Sequence, residues 1–424
     1  MKIRNYPSVA ETLYSEVLPN GLTIRVVPKP NFNRTFAVFA TDYGGADRRF
    51  SLGGEWIDTP AGIAHYLEHK MFDTKDGNAL NVLAANGASP NAFTGTDMTA
   101  YYFESTSRFE ENLKMLLEFV SVPYFTEESV EKERGIIGQE IGMVEDSPDF
   151  QVYIRLMQAL YRNSPVRCSV AGTVDSIAQI TSQSLYDCHK AFYAPSNMAL
   201  AVVGKVHPEQ VVEIASAILS KEKAPKPVVD FGVPEDLLPV THRTEVAMEV
   251  SAPQFMIGAK VAPQLSGTPR LHQKHVGTLA MNALFGRSSH FYAKLYGKNI
   301  LSPDFEIDFD YAANTSTLFL AGQSNNPDAV LEEVLAAADN VRRNGLDREK
   351  FEQLKNATLG SLIFGLEEFE SLAVDLAGSA FYNYNVMDTF TQRADVSMEE
   401  CEAFIAENLT AEKLAMSVVV PGGA

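Results

Sequence analysis

Residues 58–72 read DTPAGIAHYLEHKMF, and the order of three residues inside them, His65, Glu68 and His69, decides how the rest of the chain is read. Thr59 is a favourable N-cap and Pro60 suits the first helical position, so the stretch predicts a helix opening at Pro60. At about 100° per residue, Glu68 lies about 60° to one side of His65 and His69 about 40° to the other, so the three side chains share one narrow arc. Ile63, Leu67 and Met71 fall on the opposite face. The aliphatic stripe therefore faces a core, and the His/Glu arc faces a cleft. Two imidazoles at i and i+4 are spaced to hold one metal ion, and the glutamate beside them is placed to take a proton from water. The order His-x-x-Glu-His reverses the commoner His-Glu-x-x-His and keeps its helical geometry. With only eight histidines among 424 residues, a match by chance is expected in about one such sequence in a hundred.

A catalytic zinc keeps three protein ligands and a water, so a third ligand is expected elsewhere. The segment VEKERGIIGQEIGMVEDSPD, residues 130–149, predicts a helix with several acids to choose from. Glu133 and Glu140 share an apolar stripe with Ile136, Ile137 and Val144, whereas Glu145 and Asp146 lie on the polar side. A buried carboxylate is costly unless it is paired or bound to metal. Glu140 is therefore the expected third ligand, and Glu133 the expected support that orients a ligand or water.

Outward from these motifs, LYSEVLPNGLTIRVVPKP predicts a hairpin around Asn20-Gly21, and RTFAVFATDY predicts a strand. PNAFTGTDMTAYYFES reads as two strand-like arms about a turn at Gly95-Thr96-Asp97. Helical patterns run from Arg108 to Val120 and from Glu127 to beyond Leu160. Residues 222–239 carry four prolines and read as a linker. The stretch from Ser182, SQSLYDCHKAFYAPSNMALAVVGKV, and the stretch from Ser397, SMEECEAFIAENLTAEKLAMSVVVPGG, are each a helix, a turn and an apolar strand. The expected fold class is therefore α+β: two structurally related domains, each a mainly antiparallel sheet packed against long helices. The expected boundaries are 1–221 for the metal-binding domain, 222–239 for the linker and 240–424 for the second domain.

The net charge of −19 argues against nucleic acid or an anionic membrane surface as the main partner. The N-terminal segment lacks the apolar core of a signal peptide, and no run approaches the roughly 20 apolar residues needed to cross a bilayer. Three scattered cysteines, Cys168, Cys188 and Cys401, fit a reducing cytoplasm, which is the expected location.

HYLEH, then SPNAFTGTDMTAYYF, then ERGIIGQE, in that order, closely resemble the insulinase/pitrilysin group of zinc peptidases, the inverzincins, and their half-size bacterial branch related to the mitochondrial processing peptidase. AGT at Ala171–Thr173 and FYAPSNMALAVVG add to the match, which covers the first half well and the second only in outline. The resemblance implies one zinc per chain on His65, His69 and Glu140, with Glu68 as general base and Glu133 in support. It also implies that PNAFT is an edge strand on which an extended peptide docks, with Asn91, Ala92 and Phe93 along the groove. A chain of this length resembles members that pair two chains, so a homodimer or a heterodimer with a related chain is expected. Active members often carry an arginine and a tyrosine in the second domain; here FGRSSHFYAKLYGKNILSPDFE places Tyr296 where the arginine belongs, with Arg287 and Tyr292 nearby. The expected function is a zinc endopeptidase acting on short or unfolded peptides. Its alternatives are a non-catalytic scaffold or partner subunit, and a maturation enzyme for one dedicated precursor peptide.

Overall fold

The computed structural model describes residues 1–422. Their contacts divide into two compact units, neither of them a continuous stretch. Unit one holds residues 1–141, 169–231 and 362–390; unit two holds residues 142–168, 232–361 and the chain from 391 onward. One division, near residue 231, falls inside the Pro-rich stretch 222–239. The others depart from contiguous halves: residues 362–390 belong with the first sheet, and residues 142–168 with the second.

Twelve strands form the two main sheets. In chain order they are β1 Lys2–Tyr6, β2 Glu11–Val17, β3 Thr23–Pro28, β4 Thr35–Thr41, β5 Ala88–Thr94, β6 Thr99–Ser105, β7 Met198–Gly204, β8 Arg243–Met248, β9 Gln254–Val261, β10 Glu306–Ala312, β11 Thr315–Gln323 and β12 Ala415–Pro421. The first sheet has the order β1-β2-β3-β7-β4-β6-β5, and the second β8-β12-β9-β11-β10. Each contains one parallel pair, β3 with β7 and β8 with β12, amid antiparallel neighbours. Five strands of the first sheet thus repeat the topology of the second, with β5 and β10 as corresponding edges. The fold is α+β with two related, mainly antiparallel sheets. The expected hairpin is present: β2 and β3 pair with Val17 opposite Thr23, and the Asn20 side chain accepts from the Leu22 N–H at 3.1 Å.

Among the helices of the first half are α1 Ile63–Met71, α2 Phe109–Ser121, α3 Glu127–Glu145, α4 Pro148–Leu160 and α5 Ser182–Phe192. The long pattern from Glu127 to Leu160 is two helices, because Ser147 caps the Phe150 N–H and Pro148 takes the first position of a new helix. In unit one, Leu67, Leu113, Ile137 and Phe192 from four of these helices close on Ile24, Val26, Phe39 and Tyr101 of the sheet. The other face of that sheet, with Val27, Phe36 and Val38, is covered by Leu366, Phe369, Leu372 and Leu376 of the helical segment 362–390. Covered on both sides, β4 is buried along its whole length, which is why TFAVFAT reads as an apolar run with little alternation. Arg25 pins the cover: its guanidinium donates to the Leu376 carbonyl at 2.8 Å, the Ser379 hydroxyl at 2.7 Å and the Tyr384 carbonyl at 2.7 Å.

In unit two, α4 lies against β9 and β12. Gly258 of β9 permits the approach, since a Cβ there would sit 3.0 Å from Leu156 and 3.3 Å from Leu160. The helix Met398–Asn408 leads into β12 as α5 leads into β7, and Thr181 and Ser397 each build a capping box. Tyr292 and Tyr296 stack with their rings 5.5 Å apart, and Arg287 donates to the Pro303 carbonyl at 3.2 Å. No helix of the described residues is long and apolar enough to cross a membrane.

Candidate metal centre

Helix α1 starts at Ile63, three residues beyond Pro60. Thr59 is drawn elsewhere, its N–H and hydroxyl both donating to the Arg48 carbonyl at 2.8 and 2.9 Å. Gly62 caps the helix instead, at φ 92°. A Cβ on Gly62 would lie 2.5 Å from the Ala171 carbonyl oxygen, so only glycine serves here. The Ser176 hydroxyl donates to the Ala61 carbonyl at 2.8 Å, which ties the Ala171–Thr173 turn and its following helix to the start of α1. Ile63, Leu67 and Met71 are buried as the spacing predicts.

Helix α3 differs from expectation in one respect. Its buried residues are Val130, Ile137 and Ile141, and Ile136 is exposed. At about 100° per residue those three centre the inner face about 60° from Glu133, so Glu133 and Glu140 stand at its border and Ile136 falls beyond it. The border faces α1. There Glu140 Oε1 lies 3.4 Å from His65 Nε2, and Glu140 Oε2 lies 3.6 Å from His69 Nε2. Among the described residues, His65, His69 and Glu140 are the one group of His, Cys, Asp and Glu placed to share an ion, with ligand atoms all within 4.8 Å of one another.

These spacings fit zinc. Tetrahedral bonds of about 2.0–2.1 Å set neighbouring ligand atoms about 3.4 Å apart, whereas an ion pair closed by a hydrogen bond shortens to about 2.7–2.9 Å. Donor chemistry fits too: two imidazoles and one carboxylate are a set that a catalytic zinc takes. Glu133 Oε1 accepts from His69 Nδ1 at 3.0 Å, a bond that turns the Nε2 lone pair towards Glu140. Burial, helped by the adjacent His69, pushes His65 down to about 4 and so favours the neutral, ligating ring. For His69, burial acts downward but is outweighed by the Glu133 bond and the surrounding carboxylates, and the net direction is upward. The His69 hydrogen bond holds Glu133 below the usual carboxylate range.

Glu68 is buried on the same arc, and burial raises it above the usual range against the pull of the Thr94 hydroxyl. Thr94 Oγ1 donates to Glu68 Oε2 at 2.6 Å. Among the described residues β5, the strand of Thr94, pairs only with β6 and is the sheet's edge, as the family resemblance implies. Alternation along β5 separates the side chains. Thr94 and Ala92 face α1, while the Phe93 ring is on the opposite face, 6.3 Å from that of Tyr102. Phe93 therefore does not stand beside Glu68, and what Asn91, Ala92 and Phe93 share is edge backbone. Two contributors carry no signal in the sequence pattern: Thr94, and Lys70, whose buried ammonium pairs with Asp73 and lies 3.9 Å from Glu133.

Comparison with known proteins agrees with this geometry. The insulinase (peptidase family M16) model matches residues 54–174, and the peptidase M16 inactive-domain model matches residues 179–358. The chain is 38% identical over 427 residues to the uncharacterized zinc protease YmfH of Bacillus subtilis, covering 98% of each. It is 29% identical over 209 residues, 48% of this chain and 38% of the relative, to a mitochondrial-processing peptidase subunit beta of Arabidopsis thaliana. The crystal structure of an M16-like peptidase from Alicyclobacillus acidocaldarius superposes with a TM-score of 0.92 at 32% identity, covering 97% of this chain and 99% of that one. An inverted His-x-x-Glu-His helix, a glutamate from a second helix and this degree of likeness along the whole chain lead to one conclusion: the protein belongs to the insulinase family of peptidases, M16.

Proposed function

We propose that the chain is a zinc-dependent endopeptidase that cleaves short or unfolded peptides. The observation that carries this reading is the convergence of His65 Nε2, His69 Nε2 and the Glu140 carboxylate beside a buried glutamate on the same helix. His65, His69 and Glu140 hold the ion, one per chain. Bound there, zinc supplies Lewis acidity towards water and a carbonyl oxygen. Glu68 takes the proton from the attacking water and returns it to the leaving amine. Glu133 fixes the His69 ring. The edge of β5 at Asn91–Phe93 offers main-chain hydrogen bonds to an extended peptide, which gives affinity with little regard for side chains.

The likeness to a mitochondrial-processing peptidase subunit supports assembly into a dimer, with a second copy or a related chain. The three scattered cysteines, Cys168, Cys188 and Cys401, support a cytoplasmic location. A peptide-library digest with and without chelator tests the function, run beside Glu68→Gln. Cleavage of unstructured peptides is expected in wild type, lost with chelator, and reduced by several orders of magnitude in Glu68→Gln at unchanged zinc content. No cleavage by zinc-loaded wild type, or loss of zinc in Glu68→Gln, refutes the assignment.

A further inference from the structure

The geometry points to Thr94 as a positioning residue that sets the orientation of the Glu68 carboxylate and ties it to the docking strand. The terminal torsion of a glutamate is broad and nearly two-fold, so packing alone does not choose which oxygen faces the reacting water. The 2.6 Å bond from Thr94 Oγ1 makes that choice by occupying Oε2, which leaves Oε1 as the oxygen that accepts the proton. Nothing else in the catalytic group fixes that torsion, because His65, His69 and Glu140 are tied to one another and Glu133 to His69.

Thr94 is itself rigidly placed. It is the last residue of β5 and pairs with Thr99 of β6. The Thr99 hydroxyl donates to the Tyr43 carbonyl at 2.9 Å and lies 3.3 Å from Thr94 Oγ1. Tyr43 and Thr99 are fully buried. Thr94 is therefore held by its strand pairing beside the anchored Thr99, and its hydroxyl fixes the carboxylate. Thr94 also directly follows Asn91–Phe93 on one strand. The strand offered to substrate backbone and the base are thus held in one register, so a peptide docked along β5 meets a carboxylate already turned towards it. A misplacement of about 1 Å in such a constellation costs up to about 10²-fold in rate.

This inference rests on Glu68 acting as the base, and its test separates the two. Thr94→Val keeps the branched shape and removes the hydroxyl; Thr94→Ser restores the hydroxyl. Thr94→Val is expected to lower kcat about 10- to 100-fold with KM and zinc content within about two-fold of wild type, and Thr94→Ser to recover to within about three-fold. Wild-type kcat in Thr94→Val, or a Thr94→Ser variant as slow as Thr94→Val, overturns the proposal. Crystal structures of the metal-free variants give a readout that needs no activity. Glu68 Oε2 is expected to keep its place in wild type and Thr94→Ser and to turn away in Thr94→Val; an unmoved carboxylate in Thr94→Val overturns it as well. If β5 fails to form with Val, Thr94→Ala is read in its place. Wild-type protein that does not cleave refutes the endopeptidase reading, while the carboxylate orientation still decides this one.

Discussion

Neutralising Glu133 tests whether the carboxylate behind His69 serves the metal centre or merely neighbours it. Its Oε1 accepts from His69 Nδ1 at 3.0 Å, and its side chain is only 18% exposed, so solvent screens the pair little. A hydrogen bond to a charged group contributes about 1.5–3 kcal/mol net. At about 1.4 kcal/mol per decade that is roughly 10- to 100-fold in affinity, the range seen when an outer partner of a zinc histidine is removed. Glu133→Gln keeps a carbonyl oxygen for the Nδ1 proton and loses the charge, so zinc binding is expected to weaken about 10-fold. Glu133→Ala loses both, and about 100-fold is expected. The fold should survive, since buried Lys70 retains Asp73. Competition of the metal-free protein with a chromophoric chelator reads the affinity directly. Zinc binding in Glu133→Ala within about two-fold of wild type refutes the orienting role, and complete loss of zinc, as expected for His69→Ala, makes Glu133 a ligand in its own right.

Two further outcomes are expected. Burial pushes His189 down to about 4, its Nε2 donating to the Val120 carbonyl at 3.0 Å, so the unfolded chain takes that proton near pH 6.5 and the native chain only near pH 4. The associated stability is fully present above pH 6.5 and declines by about 1.4 kcal/mol per unit as the pH falls towards 4; urea unfolding across that window checks it, and an unchanged slope in His189→Gln refutes it. In light scattering the active species is expected at twice the chain mass or in complex with a related chain, and a monomer cleaving peptides at full rate excludes the dimer.

What the sequence reveals about this protein is local. The arc of His65, Glu68 and His69 is legible because three residues within one helical turn are related by a fixed angle, whatever surrounds them. The strands at 35–41 and 198–204 and the helices opening at Ser182 and near Ser397 are legible for the same reason. Where α1 begins is not: Thr59 has the chemistry of a cap, yet a carbonyl eleven residues earlier takes its hydroxyl, and Gly62 fits because Ala171, far along the chain, leaves no room for a Cβ. The exposure of Ile136 depends on which side of α3 its neighbours occupy, and periodicity alone allows more than one centre for an apolar stripe. Thr94 and Glu68 are 26 residues apart, on a strand and a helix whose meeting is set by the sheet order. The placement of segment 362–390 is the extreme case, since its apolar face says that it covers a sheet and not which one.

That last placement has a consequence for how the protein comes into being. During synthesis the strands of unit one and the helices that carry His65, His69 and Glu140 are all complete by residue 231, but one face of the sheet, with Val27, Phe36 and Val38, waits for Leu366, Phe369 and Leu372. Until the ribosome has added them, a nascent chain carries the His65–His69 helix on an unfinished domain, with an apolar sheet face open to chaperones or to aggregation. Completion of unit one is therefore expected only once residues 362–390 are made, and a chain truncated at the Pro-rich stretch is expected to leave that sheet face exposed.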